Sequence, residues 1–131
     1  GRAGRMVDVL PAAHSVPACG YAVQAASGRH WVYTGDTGPN PALWAALTGR
    51  PVAQLVIEIA FAEGDAAIAA QARHHCPSTL AVELAGAPPD AEILLTHVKP
   101  GEQATIEAEL AARLPGMRWR CLRTDERLYL D

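Results

Sequence analysis

The sequence predicts a layered α/β fold, and three observations carry that prediction. Two β-rich runs, 20–26 and 30–34, are separated only by Ser27-Gly28-Arg29, a hairpin signature. Short apolar runs at 55–59 and 93–95 are bounded by turn residues, as buried strands are. Helical patterns alternate with those runs, so strand and helix units follow one another after the hairpin. The chain has 131 residues, half of them hydrophobic, which suits one domain or part of one with a real core.

Each element has its own signal. Residues 6–12 form the first expected strand, closed by Pro11 and Ala12. The hairpin strands come next, followed by the polar loop Gly35-Asp36-Thr37-Gly38-Pro39-Asn40-Pro41. There Asn40 reads as a helix N-cap and Pro41 as the first helical position. A short helix over 42–47 is stopped by Gly49, and the strand 55–59 follows. The Ala-rich stretch 65–74 is helical, and Cys76-Pro77 restarts a helix that runs to about Ala85 before Pro88-Pro89. The strand 93–95 ends at Thr96-His97. Ile106, Leu110 and Leu114 mark one face of a helix over 102–114, which Pro115-Gly116 terminates. A last strand spans 119–122. The chain opens directly into a strand, so an N-terminal portion is expected to be missing.

Composition narrows the function classes. Eleven Lys+Arg stand against fourteen Asp+Glu, a net charge of -3, without the basic footprint of a dedicated nucleic-acid binder. No apolar run approaches the roughly 20 residues that span a bilayer. Gly1-Arg2-Ala3-Gly4-Arg5 lacks the apolar stretch of a signal peptide. Cys19, Cys76 and Cys121 are odd in number and widely spaced, which matches neither a disulfide framework nor a zinc knuckle. A reducing, cytoplasmic setting is therefore expected. Lys99 is the only lysine in the chain.

His14, Asp36 and His97 share one feature of placement: each lies just beyond an expected strand. Side chains at the ends of neighbouring strands can converge on one rim. Imidazole and carboxylate are ligands of divalent metals, and a carboxylate can bridge two ions. Taken singly, each has an ordinary explanation, since strand-end histidines are commonly surface residues and Gly-Asp-Thr-Gly is a common turn. Trp31 and Trp44 read as core or interface residues more readily than as base-stacking ones.

The local wording adds to this. His14-Ser15-Val16-Pro17-Ala18-Cys19-Gly20-Tyr21, then Thr34-Gly35-Asp36-Thr37, then Leu95-Thr96-His97 occur in fixed order. This resembles the C-terminal half of a metallo-β-lactamase-fold phosphodiesterase, over nearly the whole chain. The resemblance implies half of an αββα sandwich, with His14 on a first metal, Asp36 bridging, and His97 on a second. It implies two divalent ions, zinc foremost, with manganese or iron as alternatives. The family's His-x-His-x-Asp-His motif is absent from this sequence. Either a missing N-terminal half or a second chain, for instance in a homodimer, would supply it. An isolated half would also expose one face of its sheet.

Within that family, tRNA 3′-processing endonucleases typically read His-Glu-Ala-Thr where this chain has Ile57-Glu58-Ile59-Ala60. The segment His97-Val98-Lys99-Pro100 looks like the class II cyclic-nucleotide phosphodiesterases. So do His74, Pro77, Leu80 and Glu83-Leu84 at their intervals. The resemblance favours a 3′,5′-cyclic nucleotide, cAMP or cGMP, over tRNA, as does the acidic balance. A non-catalytic remnant of the fold is the reading from a different class. His74 is the implied proton donor or phosphate clamp, with His75 taking its place if the turn slips by one residue. Glu58 is expected to orient that imidazole, and Lys99 to meet a phosphate. No membrane partner is expected.

Overall fold

The β-rich and apolar runs pair into one mixed sheet of six strands whose spatial order is their order in the chain. The computed structural model describes residues 7–11 and 19 by their backbone, and 20–35, 37–88, 90–99, 101–123 and 126 in full. The elements are β1 (Val7–Pro11), β2 (Cys19–Gln24), β3 (His30–Tyr33), α1 (Pro41–Leu47), β4 (Val52–Glu58) and a 3-10 turn (Glu63–Asp65). They continue with α2 (Ala66–Ala72), α3 (Pro77–Leu84), β5 (Glu92–Thr96), α4 (Gln103–Arg113) and β6 (Trp119–Cys121). β1, β2 and β3 are antiparallel neighbours, whereas β3 to β6 run parallel. Parallel neighbours need crossover connections, and α1, the α2–α3 pair and α4 provide them.

Apolar residues four apart fall on one helix face, and that spacing builds the core. Leu43 and Leu47 of α1, Leu80 and Leu84 of α3, and Ile106 and Leu110 of α4 are all buried. They meet the sheet residues Ala22, Val32, Leu55, Ile57, Ile93, Leu95 and Cys121 in one cluster. Burial of each large aliphatic side chain contributes about 1.5–3 kcal/mol. The alternate strand residues point to the other sheet face. One cross-strand row there runs Tyr21, Tyr33, Val56, Leu94, and a second runs Val23, Trp31, Gln54, Glu92. Val56 and Leu94 are buried in the middle, while Tyr21 is 40% exposed and Trp31 stacks on Tyr33. Trp44 packs half-buried against the core on the helical side.

Several element bounds differ from the sequence expectation, for local reasons. β4 starts at Val52, three residues early, because its pairing with β3 carries Val52, Ala53 and Gln54 into the sheet. β2 ends at Gln24, where the Ala25 amide bonds back to the Arg29 carbonyl and Gly28 takes a positive φ of 88°. α2 stops at Ala72 because Arg73 turns left-handed, with φ 58°, and so His74 lies outside the helix. Asn40 precedes α1 without a side-chain capping bond; its backbone amide instead donates to Glu83 Oε1 of α3 at 2.6 Å.

No described helix is long and apolar enough to cross a membrane.

Candidate functional site

Parallel strands present their carboxyl ends at one edge of a sheet, where ligands of α/β proteins usually gather. β3, β4 and β5 end there, at Tyr33, Glu58 and Thr96. β1 also ends and β2 begins at that edge, since Pro11 pairs with Cys19 and Tyr21 with Tyr33. His14 belongs to the connection between β1 and β2, and lies outside the described residues, as does Asp36. Asp36 is flanked by Gly35 and Thr37, both buried.

Gly20 has a steric reason for its identity. A Cβ there would lie 2.5 Å from the Tyr33 carbonyl oxygen and 2.9 Å from Thr34 backbone atoms. Only glycine lets β2 approach the end of β3 so closely. The Gly-Tyr pair of the sequence pattern thus reports backbone packing beside the edge.

The best-defined part of the edge is built around Glu58. Its carboxylate is fully buried, and Oε1 accepts from three donors. These are His74 Nδ1 at 2.9 Å, the Thr37 amide at 3.2 Å and the His75 amide at 3.2 Å. One carboxylate therefore ties the loop after β3 to the turn before α3. It also fixes the His74 imidazole with Nδ1 toward itself, and such an outer carboxylate sets both ring orientation and tautomer.

Backbone bonds hold the surrounding loops together. The Ile59 amide bonds to the Thr96 carbonyl, Ala60 and Phe61 amides to the His75 carbonyl, and the Lys99 amide to the Ala60 carbonyl. His97 adopts φ 65°, a left-handed conformation uncommon outside glycine and found at functional sites more than elsewhere. Its exposed ring stacks on His74, with centroids 5.3 Å apart and planes 15° apart. Phe61 joins the group, its ring in a T-shaped contact with His74 at 5.9 Å. Lys99 Nζ sits 5.4 Å from the Phe61 ring centroid.

Ala60, Phe61, His74, His97, Val98 and Lys99 line an open cleft of about 480 Å³. His74, Glu58, His97 and Lys99 are thus brought together, although they come from three separate segments. His75 is placed differently. It is fully buried, with Nδ1 3.0 Å from Thr79 Oγ1, and Nε2 has no hydrogen-bond partner among the described residues. Burial, then the neighbouring His74 charge, pushes its pKa down to about 4. Among the described residues no three His, Cys, Asp or Glu side chains form a metal-holding group. Phe61 was not singled out from the sequence; its position three residues after Glu58, as the only phenylalanine, was the available signal.

A larger cleft of about 650 Å³ lies elsewhere, lined by Arg29, Asp90, Ile93, Met117 and Arg118 among others. Arg29 lies before β3, Asp90 before β5 and Arg118 before β6, at the opposite edge of the sheet.

No protein-family model matches the chain, and no curated protein matches it. Solved structures do. The metallo-β-lactamase fold protein YhfI from Bacillus subtilis superimposes with a TM-score of 0.74 at 18% identity, over 93% of this chain and 48% of that one. The short form of human tRNase Z gives 0.62 at 16% identity, over 88% and 39%. A long-form RNase Z from yeast gives 0.55 at 19%, over 71% and 13%. The chain spans less than half the length of each of these proteins. It has the mixed α/β metallo-β-lactamase fold.

Proposed function

We propose that these residues belong to a metal-dependent phosphodiester hydrolase that opens 3′,5′-cyclic nucleotides to 5′-monophosphates. The observation that most supports this is the grouping of Glu58, His74 and His97 at one cleft, on the carboxyl edge of the sheet. Imidazole and carboxylate are the donors that divalent cations take, and the described one of the three, His97, lines the cleft from a left-handed strand end. His97 and His14 would each hold one ion and Asp36 both, with zinc the first choice and manganese or iron next. Bound there, two such ions would supply hydroxide at neutral pH and offset the charge of the phosphodiester.

The chain's own residues do the rest. Glu58 accepts from Nδ1–H of His74, so the ring acts as an acid from its imidazolium form: Nε2 gives its proton to the departing sugar oxygen and the neutral Nδ1–H tautomer remains on Glu58. Lys99 meets the phosphate as a compact point charge. His75 is turned toward Thr79 in the interior, so the proton-transfer role goes to His74. The His-x-His-x-Asp-His motif is assigned to a further N-terminal segment or to a second chain, and the setting is cytoplasmic.

A cyclic nucleotide is preferred to tRNA because Ile57 stands where the tRNA-processing pattern has histidine, and because His97-Val98-Lys99-Pro100 follows the cyclic-nucleotide pattern. Processing of tRNA 3′ ends is the second reading, supported by the fold shared with human tRNase Z and the yeast RNase Z.

The test is metal analysis of the intact protein, followed by turnover of cAMP, cGMP, bis(p-nitrophenyl) phosphate and a 3′-extended pre-tRNA. About two ions per chain and preferential opening of a cyclic nucleotide are expected. Cleavage of pre-tRNA alone would establish the second reading. Absence of both bound metal and diester turnover would overturn both.

A further inference from the structure

We propose that Phe61 is a stacking platform for the nucleobase of the substrate, with Lys99 resting on the ring until a phosphate draws it away. This rests on the phosphodiesterase reading and names the part of the cleft that reads the base. Phe61 is the only phenylalanine in the chain, and it does not join the buried core cluster. It lines the cleft half-buried, in a T-shaped contact with His74, with its backbone tied to the His75 carbonyl. The Phe61 backbone is thereby held against the turn that carries His74 and His75.

Ring and cation are matched to the two halves of a nucleotide. Every nucleobase offers a π-face, and aromatic side chains bind that face without reading its edge. A lysine ammonium is attracted to an aromatic ring, but more strongly to an anionic phosphate oxygen. Lys99 Nζ lies 5.4 Å from the Phe61 centroid, and its backbone is anchored through its amide to the Ala60 carbonyl. A swing of this flexible side chain toward phosphate leaves the ring face to the base. The competing explanation is that Phe61 only braces the His74 ring. Bracing alters proton transfer on every substrate alike, whereas a platform alters affinity only for ligands that carry a base.

Titration calorimetry on the intact protein separates these, with adenosine 5′-monophosphate and ribose 5-phosphate as probes. The wild type is expected to bind the nucleotide about tenfold more tightly than the sugar phosphate. Phe61→Leu should remove most of that ratio without weakening ribose 5-phosphate binding, while Phe61→Tyr restores it. Lys99→Gln should weaken both ligands by the same factor. Equal loss of both ligands in Phe61→Leu, or no loss of either, overturns the platform, even in a protein that holds metal and opens cyclic nucleotides. A wild type without metal, turnover or affinity for either probe would refute the phosphodiesterase reading together with it.

Discussion

His75 makes a quantitative prediction about acid stability. Its ring is wholly buried, and its pKa falls from the ordinary 6.5 to about 4, chiefly through desolvation. In the unfolded chain the ring titrates normally, so between pH 6.5 and 4 the unfolded state binds a proton that the folded state rejects. Stability therefore rises with pH through that window, and is lost on acidification through it. The gap between 6.5 and about 4, at about 1.4 kcal/mol per pH unit, amounts to roughly 3 kcal/mol. His75→Leu removes the titration. It also leaves Thr79 with its bonds to the Cys76 backbone, so a cost under about 1.5 kcal/mol is expected at pH 7. Urea unfolding of both proteins from pH 7.5 to 4.5 measures the difference. The wild type should lose about 2–3 kcal/mol more than the variant, because other titrating groups are common to both. Parallel stability curves would refute the reasoning.

Other expectations follow from single contacts. Glu58→Gln keeps the shape but removes the charge that three donors share, so kcat should fall about 10–100-fold with metal content unchanged, read by steady-state kinetics and metal analysis. Gly20→Ala places a methyl against backbone atoms of Tyr33 and Thr34 and should destabilise the fold by about 1–3 kcal/mol in urea unfolding. Burial, helped by Glu107, pushes the Cys121 thiol up to about 11. Iodoacetamide at pH 8 should leave this thiol unlabelled in the folded protein and label it after denaturation, as mapped by peptide mass spectrometry.

The order of strands and helices was legible because each unit carries a local signal. Pro41 and Pro77 open helices, Gly28 turns the hairpin, and the leucine and isoleucine pairs set the buried helix faces. The bounds of β4 and α2 were not, since sheet pairing decides where Val52 enters and a left-handed Arg73 decides where the helix stops. At the site, the family resemblance pointed to Glu58 orienting His74, but only the fold explains how: Glu58 also accepts from the Thr37 and His75 amides, and so ties two loops together beside the ring. The distinction between His74 and His75 likewise depends on three dimensions. Adjacent in sequence, one faces the cleft and the other faces Thr79. Phe61 gave no periodic signal because it belongs to a connection rather than to a strand or helix.

The most direct measurement pairs two variants of the intact protein, His97→Ala and His74→Ala, each assayed for bound metal and for cyclic-nucleotide turnover. His97→Ala should lose metal and activity together. His74→Ala should keep its metal while kcat drops about 10²–10⁴-fold. Full metal content and unimpaired turnover in His97→Ala would contradict the assignment of this edge as the hydrolytic centre.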